Sequence, residues 1–402
     1  MFENSKIPGP ELFAAEMGEE LNQILNWWVD HLWDPASKSW HGRINGRGEL
    51  DPSHPRSIIL YTRLLWTYAA AARKIDRSKY HGIADDTFRY LETYFWDRRY
   101  GGLFWMVDAE GNLLDTKKQI YAQAFGIYAF SEYYLLTGAS PALNLADQLY
   151  TMIETYSFDK DNNGYFEAFD REWRLLSDMR LSAKDANEAK TMNTHLHLLE
   201  AYTLYATISQ NKVIHERLHN LINLFSGHFI NPTSHHLNLF FDERWNCKGD
   251  LISYGHDIEA SWLLTEACNT LGDPRMISDM HQMSLRMVEA VIANGIAPDG
   301  SIWYERKGDH LDQERHWWPQ IEAVVGLINA WQIVQNPYYY LLAYRTWEYI
   351  KKQLIDRMQG EWYWSILANG TPNEQDDKAG PWKANYHNGR GCMEIMSRLM
   401  TL

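Results

Sequence analysis

The chain has 402 residues, a length that fits one large domain or two to three ordinary ones and is ample for an extensive core. It is 45% hydrophobic and 22% charged, and a formal net charge of −14 excludes a binder of nucleic-acid backbone, which needs a basic face. Three scattered cysteines (Cys247, Cys268 and Cys392) without a CxxC pair exclude a zinc ribbon or a disulfide scaffold and suit a reducing compartment.

In chain order, the first segment, MFENSKIPGPELFAAEM, has no basic stretch leading into an apolar one, so no signal peptide is read. No later run approaches the length of a membrane span. The expectation is a cytoplasmic protein with neither a membrane nor a nucleic-acid partner. From there a weak repeat runs along the chain: an aromatic- or glycine-rich hairpin, a polar connection, then an apolar helix. The hairpins read SKSWHGRINGRGEL, RRYGGLFWMVDAEGNLL, NNGYFEAFDREWRLL, HHLNLFFDERWNCKG, GSIWYERKGDHLD and GEWYWSILANGTPN. Anchored on Trp40, Leu103, Tyr165, Leu239, Ile302 and Trp362, they recur at 63, 62, 74, 63 and 60 residues.

The helices that come after them, such as SIILYTRLLWTYAAAARK, QIYAQAFGIYAFSEYYLL and WWPQIEAVVGLINAWQIV, are apolar around most of their circumference, as helices buried on both sides are. Those preceding a hairpin, PALNLADQLYTMIETYSF among them, are amphipathic and more polar. Six outer and six inner helices predict a closed all-α toroid, an (α/α)6 barrel with short hairpins in its connections. Each repeat buries its apolar faces only against its neighbours, so residues 1–402 are expected to form a single domain. An open solenoid is the rival, but it needs polar end caps that the sequence lacks.

In such a toroid the starts of all inner helices meet at one end, and polar residues that a core should reject fall there. Arg63 lies early in the first inner helix. Tyr121 and Gln123 open the second, Asn193 and His197 the third, and His256 and Glu259 the fourth. The fifth brings Trp317, Trp318, Gln320 and Glu322, and the sixth Trp382, His387, Asn388 and Arg390. Asn193 and His197 are four apart and share a helix face, as do Trp318 and Glu322; His195 points elsewhere. A lone core histidine is usually a satisfied structural one, but six helices offering polar groups at one end point to a site.

Several chemistries compete for it. A catalytic metal is disfavoured, because His195 and His197 cannot face one ion from one helix and no HExxH or Cys/His pair is present. The stretch DKDNNGYFEAFD at 159–170 nearly fits a calcium loop, yet other repeats carry an ordinary hairpin turn there. A glycoside hydrolase needs two positioned carboxylates, for which Asp185, Glu259 and Glu322 are candidates. The 14% aromatic content by itself favours core filling over a cleft with flat faces for sugars. A non-catalytic saccharide-binding toroid leaves the histidines unexplained. His197, His256 and His387 come from three helices, and imidazoles near neutrality can act as base and acid on opposite faces of a substrate. On this reading Arg63 stabilises an enediolate oxygen, Glu259 orients His256, and no cofactor or metal is required.

The blocks MNTHLHLLEAY, GHDIEASWLL, WWPQIEAVVG and PWKANYHNGRGCMEI, with TRLLW upstream, resemble the N-acylglucosamine 2-epimerase superfamily, and within it cellobiose 2-epimerases most closely. The resemblance spans nearly the whole chain, with the blocks in the family's order. It implies an (α/α)6 barrel and cofactor-independent epimerisation at C2 of a reducing-end glucose or mannose unit. It also implies His256 and His387 as the acid–base pair, with His197 assisting ring opening or proton traffic. Arg63, Asp185, Asn193, Glu259, Trp318 and Trp382 would line the sugar site, beside Tyr121 and Glu322 from the helix starts. The chain has KANYHNGR where those epimerases carry KCPYHNSR, and YTR where they carry NAR. Tyr61 is expected to narrow the cleft beside Arg63, which keeps a D-mannose 2-epimerase and a mannose–fructose isomerase as further readings. A monomer or homodimer acting on a small saccharide is expected.

Overall fold

The computed structural model describes residues 7–400. Among them the chain forms α1 (Pro10–Leu32), α2 (Ile58–Lys74), α3 (Arg77–Tyr90), α4 (Ile120–Thr137), α5 (Ser140–Met152) and α6 (Met192–Ala206). Next come α7 (Val213–Leu224), α8 (Tyr254–Leu271), α9 (Pro274–Asn294), α10 (Trp317–Val334), α11 (Pro337–Tyr349) and α12 (Tyr386–Met400). The even-numbered helices pack each against the next, and α12 closes on α2. The odd-numbered ones lie outside them, α3 on α2 and so on round the ring, with α1 serving as the outer partner of α12. This is the expected (α/α)6 barrel, and the contact of α12 with α2 removes the open solenoid. Inner helices such as α4 are buried on nearly every face because both the barrel axis and the outer layer cover them.

The repeat has a finer grammar than the sequence discloses. Four outer helices end in a five-residue π turn, at Leu91–Phe95, Ile153–Ser157, Phe225–Phe229 and Ile350–Leu354. The next residue then makes a single antiparallel bridge to the hairpin: Trp96 to Leu103, Phe158 to Tyr165, Ile230 to Leu237 and Ile355 to Trp362. The fourth repeat is therefore anchored at Leu237, two residues before Leu239.

The fourth residue of five inner helices grips that anchor's backbone. The Tyr61 hydroxyl donates to the Trp40 carbonyl (2.7 Å) and accepts from its N–H (3.0 Å). The Gln123 amide does the same at Leu103 (2.7 and 3.0 Å), and Gln320 at Ile302 (2.8 and 2.7 Å). His195 Nε2 accepts from the Tyr165 N–H (3.0 Å), and Asp257 Oδ1 from the Leu237 N–H (2.7 Å). Buried backbone groups must be paired, and these side chains pair the ones that the short hairpins leave over.

The residues leading into each inner helix then pair with the hairpin of the next repeat. Arg56–Ser57 pairs with Met106–Val107, Lys118–Gln119 with Ala168–Phe169, Lys190–Thr191 with Phe240–Phe241, Leu251–Ser253 with Glu305–Lys307, and Arg315–His316 with Ser365–Ile366. A bridge between Ile44 and Ala379 completes the circle. In the stretch resembling a calcium loop, Asp159 Oδ1 accepts from the N–H groups of Asp161 and Asn162, while Oδ2 takes the buried Lys190 ammonium at 2.7 Å. That ammonium is the cation of the turn.

Candidate active site

With the fourth position committed to the hairpin, the second and sixth positions of the inner helices face the barrel mouth. They hold Tyr121 and Phe125 on α4, Asn193 and His197 on α6, Gly255 and Glu259 on α8, and Trp318 and Glu322 on α10; α2 gives Arg63 at its sixth. Gln123, His195 and Gln320 are thereby removed from the site. Burial pushes the His195 imidazole down to about 3, so it is a neutral structural group whose Nδ1 lies 2.7 Å from the Thr191 carbonyl.

On one side of the mouth, Arg63 donates to the Tyr121 hydroxyl (2.7 Å) and to the Trp382 carbonyl (3.1 Å). Its guanidinium also lies over the rings of Phe125 (4.7 Å) and Tyr386 (5.2 Å). Tyr121 meets the His197 ring edge-on at 4.8 Å, and Trp382 stands half-buried between Tyr121 and Trp105. Burial pushes the Tyr121 phenol up to about 12 against the pull of Arg63.

On the other side, the half-buried Trp318 touches two histidines, its ring 4.7 Å from His256 and 5.5 Å from His387. Trp318 comes this close because position 255 is glycine: a Cβ there would sit 2.6 Å from the indole. His256 takes the third position of α8, out of step with the other helices.

Each histidine is held from behind at Nδ1. His387 Nδ1 lies 2.7 Å from Glu322 Oε1, His197 Nδ1 2.9 Å from Glu200 Oε2, and His256 Nδ1 2.7 Å from the Ser253 hydroxyl. A carboxylate partner fixes the tautomer with hydrogen on Nδ1 and leaves the Nε2 lone pair for the cleft. Burial, with the cationic Arg63 and Arg390, holds His387 well below the imidazole range. Burial pushes His256 down to about 3, and His197 acts in the same direction. Both rings are neutral bases at neutral pH.

The expected pairing of Glu259 with His256 is not found; Ser253 takes that place. Glu259 lies deeper and shares the Arg390 guanidinium with Glu322, each at 2.6 Å, while Glu200 and the Tyr386 hydroxyl take the other terminal nitrogen. Burial, then repulsion from Glu322, pushes Glu259 up to about 7, whereas Arg390 holds Glu200 down to about 2 although burial opposes it. Glu259, Glu322 and His387 lie close enough to share an ion, but Arg390 already supplies the positive charge between the two carboxylates. Glu322 also accepts from Trp262 Nε1 at 3.1 Å and is wholly buried, so it backs His387 rather than lining the cleft. A hydrolase would need two carboxylates free to reach a scissile bond, and here Glu322 is committed to His387, Arg390 and Trp262.

Glu259 Oε2 and Asn193 Oδ1 have no protein partner among the described residues, leaving acceptors at this end for a polyhydroxylated ligand. Asp185 sits half-buried in the connection before α6, where its carboxylate accepts from the Ser182 N–H at 2.8 Å. Its charge is felt by Tyr121. Tyr61 is fully buried and tied to Trp40, so it does not narrow the cleft. Glu200 lies outside the residues that the sequence singles out, and Arg390 is among the polar residues at this end but has no role assigned there. The one available signal was that His197 and Glu200 repeat the three-residue spacing of His256 and Glu259.

The sequence pattern of the N-acylglucosamine 2-epimerase (GlcNAc 2-epimerase) family matches residues 39–389. The chain is 44% identical to a cellobiose 2-epimerase of Bacteroides fragilis over 389 residues, which cover 96% of this chain and 99% of that one. It is 37% identical, with the same coverage, to a cellobiose 2-epimerase of Ruminococcus albus. The solved structure of cellobiose 2-epimerase from Bacillus thermoamylovorans B4167 matches at a TM-score of 0.92 and 39% identity, over 96% of this chain and all of that one.

Proposed function

The chain belongs to the N-acylglucosamine 2-epimerase family and is a carbohydrate epimerase, and on that premise we propose that it inverts C2 of a reducing-end glucose or mannose unit, with cellobiose as its preferred kind of substrate. The observation that carries the reading is the pair His256 and His387, brought from α8 and α12 into contact with the same Trp318 ring, each backed at Nδ1.

Ring opening begins with His197 protonating the ring oxygen while the histidine that later acts as acid takes the C1 hydroxyl proton, which exposes the C1 aldehyde. One of the paired histidines then removes the C2 proton through Nε2 and becomes an imidazolium, leaving a cis-enediolate. The guanidinium of Arg63 stabilises the developing oxyanion. The intermediate turns its other face, and the partner histidine, carrying the proton it took from the C1 hydroxyl on ring opening, delivers it there. Trp318 and Trp382 offer flat faces on which the sugar turns. Every donor and acceptor comes from the chain, without cofactor or metal. The enzyme works in the cytoplasm as a monomer or homodimer; among the described residues no helix is long and apolar enough to cross a membrane.

The test is NMR of EDTA-treated protein in D2O with cellobiose, then with glucose. Glucosylmannose with deuterium at C2, formed faster from cellobiose than mannose from glucose, supports the reading. Faster turnover of glucose moves the assignment to a D-mannose 2-epimerase, fructose to an aldose–ketose isomerase, and released glucose to a hydrolase. His256→Ala and His387→Ala should each lose roughly 10²–10⁴-fold in rate. A variant of either that keeps more than about a tenth of the rate refutes the two-base scheme.

A further inference from the structure

The three inner helices that start on a serine or threonine treat that residue differently. Ser57, at the cap of α2, accepts from the Leu60 N–H at 3.1 Å, and Thr191, at the cap of α6, accepts from the Thr194 N–H at 3.2 Å. Both are ordinary helix caps, in which a side-chain oxygen satisfies a free backbone donor of the first turn. Ser253 occupies the same position before α8, yet makes no cap hydrogen bond. Its hydroxyl is turned instead to the side chain three residues on, His256 Nδ1, at 2.7 Å. The residue is only 4% exposed, and its backbone is fixed by the strand pair with Glu305.

We propose that Ser253 is a positioning residue for His256, setting the rotation of the imidazole and the nitrogen it presents to the sugar. This inference rests on the two-histidine reading above. The two other histidines of the site have carboxylates behind them, Glu322 and Glu200, which accept only and so hold the hydrogen on Nδ1. A hydroxyl accepts or donates. When His256 is the base, its Nδ1–H donates to Ser253 Oγ and the Nε2 lone pair faces C2; when it is the acid, the same bond holds the imidazolium with Nε2–H aimed at the carbanion. A hydroxyl does this without a negative charge to stabilise the imidazolium. His256 thus carries its proton without the carboxylate that Glu322 sets behind His387. The two members of the pair are chemically unequal although the reaction treats the two faces of C2 alike.

The titratable groups coupled to His256 are His197 from α6 and His387 from α12, and His387 in turn stands beside Glu322 from α10 and Glu259 from α8. The test leaves all of them in place. Ser253→Ala removes no cap bond, so the fold is expected to survive; kcat should fall at least tenfold with KM changed less than twofold, and Ser253→Thr should restore most of it. Ser253→Asp puts a carboxylate behind His256 as Glu322 stands behind His387. It should move the acidic limb of the kcat profile to higher pH by a unit or more, which a purely structural role would not do. The 15N shifts of the His256 ring, read without substrate, should show hydrogen on Nδ1 in the native protein and a mixture of tautomers in Ser253→Ala. Native kcat in Ser253→Ala, together with an unmoved acidic limb in Ser253→Asp, overturns the proposal. His256→Ala is run alongside: if it too keeps its rate, the two-histidine reading itself has failed, whereas loss there with native Ser253→Ala condemns the role of Ser253 alone.

Discussion

Replacing Glu322 by glutamine removes one charge and almost no volume, so its effect is set by the three donors around it. The carboxylate serves His387 Nδ1 at 2.7 Å and an Arg390 nitrogen at 2.6 Å on Oε1, and Trp262 Nε1 at 3.1 Å on Oε2. An amide has one oxygen. With that oxygen turned to His387 and Arg390, the NH2 meets the Trp262 N–H, donor against donor. With the amide reversed, the NH2 faces His387 Nδ1, which must then accept, and the ring hydrogen moves to the nitrogen that should abstract a proton. Either outcome disarms the base or loosens it. A carboxylate-to-amide change behind a catalytic histidine costs roughly 10³–10⁴-fold, about 4–5.5 kcal/mol on the barrier. The fold should suffer less, because Arg390 keeps Glu200 and Glu259; the loss of stability should stay at or below about 3 kcal/mol, the low end for breaking a buried pair. Deuterium incorporation at C2 measures the first quantity and urea unfolding the second. A folded Glu322→Gln variant with more than a tenth of native turnover would refute the assignment of Glu322 as the group that arms His387.

Two further outcomes are expected. Tyr61→Phe deletes both hydrogen bonds to the Trp40 backbone and should lower stability by about 1–3 kcal/mol in urea melts while leaving KM for glucose and cellobiose unchanged; a changed ratio of the two would return Tyr61 to the cleft. Burial pushes Glu167 up to about 8 and Glu20 and Glu259 up to about 7, so the folded chain holds protons that the unfolded chain, with carboxyls near 4.5, has given up. That contribution is complete below pH 4.5 and is lost progressively as pH rises from there to the folded values, so stability should fall between about pH 5 and 8 with a slope of up to about 1.4 kcal/mol per pH unit per group and level off above. Glu167→Gln should flatten that slope; an unchanged slope would show that Glu167 ionises normally.

The architecture was legible because it lies in periodicity: helices apolar on all sides, set six times between hairpins, have few ways to be buried. The pairs four residues apart, Asn193 with His197 and Trp318 with Glu322, were legible for the same reason. Gln123, Gln320 and His195 were harder to place, since a polar side chain on a buried helix reads alike whether it faces a ligand or a hairpin backbone. The register in the fourth repeat slipped to Leu239 because HHLNLFF offers two apolar residues on one face of a strand. Three-residue spacing put Glu259 beside His256, but spacing says only that two side chains share a face. Which of them bond is decided by groups arriving from other helices, and Arg390, drawn from α12 to Glu200, Glu259 and Glu322, outweighs a neutral ring. No local pattern carries that information.

The order of the helices along the chain also sets a schedule. Helix α1 emerges first during synthesis, yet its inner partner is α12, the last to be made. Its apolar face, including Phe13, Met17, Leu21 and Trp28, therefore waits for a neighbour more than 350 residues downstream. The same late segment brings His387 and Arg390. A chain still on the ribosome can assemble much of the toroid and possess His197 and His256, but it lacks one of its two paired histidines and the cation that balances three buried acids. The final closure of the ring and the arrival of this histidine and this cation thus coincide in one helix.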